Sequence, residues 1–191
     1  MKLLTALFAI VGSGSYVSAS TFTYSMLLTG PNESPANASP ATAFSIVTFD
    51  DVANTMRVQI NFSGLLGTTT ASHIHCCTTA AGTGTAGVAT QLPSFTGFPL
   101  GVTSGTFDNT FDLTLASSWN PAFISANGGT PATAEAALLA GVGAGRVYLN
   151  IHSTAFPGGE IRAFLVPEPA TWGLVGLALV GLFGLKRRIS A

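Results

Sequence analysis

The sequence predicts an all-β domain, specifically an antiparallel, Greek-key-like β-sandwich. Apolar and polar residues alternate along several short segments, which is typical of strands with one buried face. Runs rich in glycine and proline separate these segments, as turns do in antiparallel sheets. Only 8% of the residues are charged and 47% are hydrophobic, so the chain can bury a core and is not expected to be disordered. Together these features favour strands packed around one core.

The clearest predicted strand covers residues 54–62. Its apolar residues Met56, Val58, Ile60 and Phe62 fall on one face, because side chains alternate along a strand. The other predicted strands cover residues 22–28, 44–50, 71–75, 105–115, 146–152 and 160–166. Seven strands of this length are enough for a single domain, which we place at residues 20–166.

One short helix is expected among the strands, at residues 132–140. Thr130 is a suitable N-cap, Pro131 suits the first helical position and Gly141 can end the helix. The segment 78–105 is rich in glycine and threonine, so we expect it to form a long loop at the surface.

The N-terminal segment has the order of a secretory signal peptide. Lys2 precedes an apolar run at residues 3–11, and Val17-Ser18-Ala19 supplies small residues before a cleavage site. We therefore expect residues 1–19 to be removed during export.

The C-terminal segment is predicted to anchor the chain in a membrane. Residues 170–185 contain no charge and would form a transmembrane helix about 24 Å long. Lys186, Arg187 and Arg188 follow directly, and such a basic group favours the cytoplasmic side. A buried core helix is the alternative, which three terminal cations disfavour. The domain itself is then expected outside the cell.

The domain between these segments is acidic, although the whole chain has a formal net charge of −1. It keeps three cationic side chains against seven carboxylates, a net charge of about −4. Nucleic-acid binding requires clustered Lys and Arg for phosphate contacts, so we expect no nucleic-acid partner.

Three histidines are candidate metal ligands. His73 and His75 lie two residues apart on a predicted strand and so share a face, and His152 lies on a later strand beside Tyr148 and Asn150. Three imidazoles with an open position suit copper or zinc. The alternative is structural, in which the rings bond carbonyl groups and fix the packing of a polar core.

The chain contains two cysteines, Cys76 and Cys77, which are adjacent. Within one chain they can form a disulfide only with each other, and an oxidising compartment favours it. A metal-bound pair and a bridge between two chains remain alternatives.

Glu33, Glu160 and Arg162 form a second candidate group. Glu160 and Arg162 flank Ile161 on the last predicted strand, where they can pair with each other or contact Glu33. We interpret them as a polar cluster at a sheet edge, with a weak surface ion pair. Since no complete catalytic constellation is present, we expect no enzyme.

The C-terminal pattern resembles the PEP-CTERM sorting tail of exported bacterial proteins. The residues that carry the resemblance are Pro167-Glu168-Pro169, the apolar run 170–185 and the group Lys186-Arg187-Arg188. The resemblance implies recognition and cleavage by an exosortase-like membrane enzyme. It also implies an association with exopolysaccharide and biofilm.

The domain resembles the CHRD family. The resemblance is carried by Ser72-His73-Ile74-His75, by the runs 28–35 and 148–153, and by Phe156-Pro157-Gly158-Gly159-Glu160-Ile161-Arg162. It implies an extracellular β-sandwich. Two departures are Ala163, where relatives often have glycine, and the Cys76-Cys77 pair. Some motifs are similar to copper/zinc superoxide dismutase, but three histidines are too few for its dinuclear site.

Two functions are compatible with these observations. The first is an exported module, transiently anchored in the membrane and then displayed at the cell surface or released, which binds extracellular matrix, exopolysaccharide or surface proteins. The alternative is a mononuclear copper or zinc protein, with His73, His75 and His152 as ligands and a capacity for redox chemistry.

Overall fold

The computed structural model describes residues 21–166, which contain seven strands, two α-helices and two short 3-10 helices. The strands are β1 (Thr21–Thr29), β2 (Thr42–Asp50), β3 (Thr55–Ser63), β4 (Thr69–His75), β5 (Gly105–Asp112), β6 (Tyr148–Ser153) and β7 (Ile161–Phe164). The helices, α1 (Pro121–Ala126) and α2 (Pro131–Gly143), both lie between β5 and β6. The all-β prediction is confirmed.

All seven strands belong to one antiparallel sheet with the order β4-β6-β7-β1-β2-β3-β5. The last strand, β7, returns to lie between β6 and the first strand, β1. The pairing between β7 and β1 is limited to Thr29 and Arg162. The sheet therefore has two well-paired parts joined at a narrow seam.

The sheet curls, and the chain segment that connects the two edge strands, β4 and β5, contacts both of them. The backbone N–H of Phe95 donates to the carbonyl of Ser72 on β4, with an N–O distance of 3.1 Å. The Phe95 ring packs against Phe107 and Phe111 of β5, with centroid distances of 5.8 and 5.2 Å. Because β4 and β5 stand at opposite ends of the strand order, this bridge encloses the core.

The strand at residues 54–62 is confirmed with small shifts of its ends. Met56, Val58, Ile60 and Phe62 are buried, and the residues between them face outward. The hairpin before this strand is closed by Asp50, whose carboxylate Oδ1 accepts from the backbone N–H groups of the next turn. Period-two alternation was therefore a reliable signal here.

The prediction of one inserted helix is wrong in number. The predicted helix exists as α2, and the Thr130 side chain caps its first turn together with Thr133. A second helix, α1, precedes it and uses the same signals, since Asn120 caps it and Pro121 occupies its first turn. With only six residues, α1 is too short to show a helical apolar period.

The connection between β4 and β5 is not a surface loop throughout, which corrects the expectation. Ala89, Phe95 and Phe98 are buried in the core, and the Phe98 ring stacks on Phe62 at 5.5 Å. The segment covers the sheet because its aromatic residues fill the space between the two edge strands.

Glu160 is fully buried, whereas the sequence pattern predicted a place for it in a polar cluster at a sheet edge. Its carboxylate accepts hydrogen bonds from Ser39 Oγ at 2.7 Å, from the Leu66 backbone N–H at 2.6 Å, and from Gly67 N–H and Ser153 Oγ. The side chain therefore ties the turn after β3 to the β6–β7 hairpin.

No helix among residues 21–166 is long and apolar enough to cross a membrane. The predicted signal peptide (1–19) and the predicted transmembrane helix (170–185) lie outside the described residues.

We expect Glu160→Gln to lower the free energy of unfolding by about 2 kcal/mol or more, because an amide group turned toward buried donors leaves some of them unpaired. The matched control is Asp108→Asn on β5. It weakens the ion pair between Asp108 and Arg57, whose side chains are both about half exposed. That change should have little effect. Urea unfolding measures both, and equal effects of the two substitutions would contradict this role for Glu160.

Candidate metal centre

The three histidines lie on one face of the β4–β6 strand pair. The register of the pair places His73 opposite Asn150, His75 opposite Tyr148 and Ala71 opposite His152. Since side chains alternate along each strand, His73, His75 and His152 all project from the side opposite the core. The intervening residues Ile74 and Ile151 are fully buried in the core.

The three imidazole rings are in mutual contact range. Ring centroids lie 5.7 Å apart for His73 and His75, 5.2 Å for His73 and His152, and 5.8 Å for His75 and His152. One nitrogen of each ring lies within 4.8 Å of the corresponding nitrogens of the other two. Strand pairing thus brings His152 beside His73 and His75, from which it is distant in the sequence.

One nitrogen of each ring donates to a backbone carbonyl. His73 Nε2 bonds the Pro93 carbonyl at 2.6 Å, His75 Nδ1 bonds that of Ala86 at 2.9 Å, and His152 Nδ1 bonds that of Pro157 at 2.9 Å. Because a carbonyl can only accept, each of these nitrogens carries the ring proton in the neutral imidazole. The tautomer of each ring is thereby set.

The remaining ring nitrogens have no partner. His73 Nδ1, His75 Nε2 and His152 Nε2 are buried and accept no hydrogen bond from the described residues. A buried acceptor without a partner costs free energy, so three of them together are a feature to be explained. Each is the deprotonated nitrogen of its ring, which is the form that binds a metal ion.

Burial keeps the histidines neutral. It lowers the pKa of His73 and of His75 to about 4, against which the hydrogen bonds to Pro93 and Ala86 act only in part. Burial also lowers the pKa of His152. At neutral pH all three rings are therefore able to donate a lone pair.

Tyr148 and Arg162 form one wall of the group. The Tyr148 ring stacks on His75 with a centroid distance of 4.7 Å and an interplanar angle of 4°. The Arg162 guanidinium lies over the Tyr148 ring, 4.7 Å from its centroid. This stack limits the rotation of His75.

The predicted polar cluster is divided, which corrects the expectation of a surface group. Arg162 Nε lies 3.7 Å from Glu33 Oε2, and both side chains are at most 5% exposed. Burial raises the pKa of Glu33 to about 7, while the charge of Arg162 opposes that change. Glu160 belongs to the separate network described above, because it points toward the turn after β3.

Cys76 and Cys77 are joined as a disulfide in the structure. They pack against α2 at Gly141, where a Cβ would lie 2.9 Å from Cys76 Sγ and closer still to Cys77 Sγ. A side chain at position 141 would therefore push the helix from the sulfur atoms. The sulfurs are not part of the histidine group.

Within residues 21–166, the three histidines are the one group of His, Cys, Asp or Glu with ligand atoms close enough to hold a metal ion. Strand alternation predicted that His73 and His75 share a face. The sequence could not predict that the carbonyls of Ala86, Pro93 and Pro157 bond the three rings, because every residue has a backbone carbonyl.

Comparison with known proteins identifies two matches along the chain. The model of the CHRD domain matches residues 24–165, and that of the PEP-CTERM protein-sorting motif matches residues 165–188. No curated protein and no solved structure matches the chain. A PEP-CTERM motif marks an exported protein that exosortase-type machinery sorts at the membrane.

We expect the metal-free domain to lose stability as the pH falls from about 6.5 to 4. The unfolded histidines take up protons in this window, while the folded ones, with their lowered pKa, do not. Each of these histidines lowers the free energy of unfolding by up to about 1.4 kcal/mol for each pH unit within this window. Glu33 acts in the opposite sense between about pH 4.5 and 7, because folding raises its pKa.

The double substitution His73→Gln/His75→Gln should therefore make the slope of unfolding free energy against pH smaller in this window. Denaturant unfolding with a chelator present measures it, and Arg57→Gln on an exposed strand position is the control. An unchanged slope in the double variant would contradict the burial of neutral rings.

Proposed function

The chain belongs to the CHRD family, and from that premise we propose that it is an exported surface module that holds one transition-metal ion through His73, His75 and His152. One observation carries the proposal: each of three neighbouring rings keeps one buried, deprotonated nitrogen without a partner, and the three rings each offer a ligand nitrogen within 4.8 Å of the others. Zinc and copper are among the ions that imidazole ligands suit.

The hydrogen bonds behind the rings support a metal site. Histidine ligands commonly donate their other N–H to a carbonyl or carboxylate, which fixes the ring and raises its basicity. All three rings do so here, to Ala86, Pro93 and Pro157. A zinc ion about 2.1 Å from each nitrogen would place the nitrogens about 3.4 Å apart. The rings would therefore have to approach from their present nitrogen separations of up to 4.8 Å.

A purely structural role explains only half of this arrangement. The bonds to the three carbonyls would hold the covering loops in place with one nitrogen of each ring. The second nitrogen would then remain buried and unpaired in all three rings, at a cost of about 1 to 3 kcal/mol each. A bound cation removes that cost by accepting all three lone pairs.

We propose that the sorting route delivers this module to matrix or surface partners. The signal peptide (1–19) would direct export, and the helix at 170–185 would anchor the chain until exosortase-type cleavage. On the outer face of β1–β3, Leu27 and Phe44 are opposite each other and more than half exposed. Phe44 is also opposite Asn61. An exposed ring beside an amide favours contact with exopolysaccharide or another surface protein.

Metal analysis tests the proposed centre. The protein, produced by export into an oxidising compartment, is stripped with a chelator, dialysed against zinc or copper and measured by mass spectrometry of the elements. We expect about one equivalent in the wild type and a large loss in His75→Ala, because that change removes a ligand. Asp108→Asn, on the strand β5 at the opposite end of the strand order from β4, should retain the metal.

Two results would contradict the proposal. One is a wild-type protein that binds well under one equivalent of either metal. The other is a folded His75→Ala protein with the same metal content as the wild type. Thermal unfolding of each variant, measured with a chelator, separates loss of the ligand from loss of the fold.

A further inference from the structure

We propose that Asn150 is the fourth ligand of this centre, through its side-chain oxygen Oδ1, and that Glu33 holds the amide in the orientation that this requires. The inference rests on the proposed metal site and goes beyond it, since it supplies an oxygen donor and a closed coordination shell. It begins from the buried polar atoms that the fold leaves without partners.

In the part of the chain that the structure describes, five buried side-chain nitrogen or oxygen atoms have no hydrogen-bond partner. They are Ser45 Oγ, His73 Nδ1, His75 Nε2, His152 Nε2 and Asn150 Oδ1. Ser45 lies on β2, away from the histidines. The other four are acceptors on the β4–β6 pair. Such clustering of unpaired acceptors is what a site for a cation requires.

The register places Asn150 among the histidines. Asn150 is directly opposite His73 across the two strands, and it precedes His152 by two residues on β6. Residues opposite each other in an antiparallel pair have Cβ atoms about 5 Å apart, and residues two apart on a strand share a face. Asn150 therefore projects from the same face as the three rings, and it is only 2% exposed.

Glu33 sets which end of the amide is free. Asn150 Nδ2 donates to Glu33 Oε1 at 2.8 Å. A carboxylate oxygen accepts a hydrogen bond, so the NH2 end of the amide faces Glu33 and the oxygen is left for another partner. Arg162 is the ion-pair partner of this carboxylate, with Nε 3.7 Å from the other Glu33 oxygen, and its Nε–H donates to the Asn32 carbonyl. This chain of contacts resembles the supporting interactions that orient ligands around metal ions.

Gly159 makes room for this contact. A Cβ at position 159 would collide with Asn150 Nδ2 and lie 2.8 Å from Glu33 Oε1 and 3.0 Å from Asn150 Oδ1. Its φ of 133° is also one that residues with side chains rarely adopt. The hairpin between β6 and β7 thus lets its backbone pass close to the amide and the carboxylate.

Four protein ligands give the centre a different character from three. A site with three histidines keeps a position for water or substrate, as catalytic zinc sites do, whereas a four-ligand site is closed and structural. Three neutral nitrogens and one neutral amide oxygen would hold a divalent ion such as Zn²⁺ or Cu²⁺. The metal would then stabilise the β4–β6 face and the loops above it.

Cobalt substitution tests the fourth ligand. The visible spectrum of Co²⁺ reports the number and type of its ligands, and competition with a chromophoric chelator gives the Zn²⁺ affinity. We expect Asn150→Ala to change the Co²⁺ spectrum and to weaken Zn²⁺ binding at least about tenfold. Asn150→Asp keeps an oxygen at this position but loses the NH2 group that donates to Glu33, so it should restore only part of the affinity. Ser45→Ala, which removes the unpaired buried oxygen on β2, should change neither.

The outcomes separate this inference from the function on which it rests. If the wild type binds no metal, the proposed centre fails. If the wild type binds metal, while Asn150→Ala keeps the same spectrum and the same affinity, the centre stands and the fourth ligand is overturned. Should Asn150→Ala not fold, Glu33→Ala provides the second variant. It frees the amide and should also weaken Zn²⁺ binding, and an unchanged affinity in it would overturn the role of Glu33.

Discussion

Three imidazole rings are buried on one face of a β-sheet, and the protein around them satisfies only half of their hydrogen-bonding capacity. This constraint organises much of the domain. The strands β4 and β6 must pair in one register to place the rings together. Two connections, β4–β5 and β6–β7, must pass above the rings to supply the three carbonyls. The proposed cation would accept these unpaired lone pairs.

The surroundings of the rings follow from the same constraint. Tyr148 packs flat on His75, and Arg162 covers Tyr148 while it faces Glu33. Because Arg162 belongs to β7 and Glu33 follows β1, the narrow seam between these strands is held by a buried ion pair. The site and the closure of the sheet are thus built by some of the same side chains. A substitution that disturbs the site is therefore expected to weaken the closure of the sheet as well.

Local patterns in the sequence predicted the strands well and the tertiary contacts poorly. The strand at residues 54–62 and the shared face of His73 and His75 follow from period two alone. The helix α1 was missed because six residues show no period. The burial of Phe95 and Phe98, and the meeting of His152 with His73, depend on which strands pair across the sheet. Spacing along the chain carries no such information.

Anomalous X-ray diffraction from crystals of the zinc-loaded protein, recorded on both sides of the zinc absorption edge, tests the central claim most directly. The account predicts one strong peak about 2.0 to 2.1 Å from His73 Nδ1, His75 Nε2 and His152 Nε2. A zinc peak elsewhere on the protein, with no density among the three rings, would contradict it.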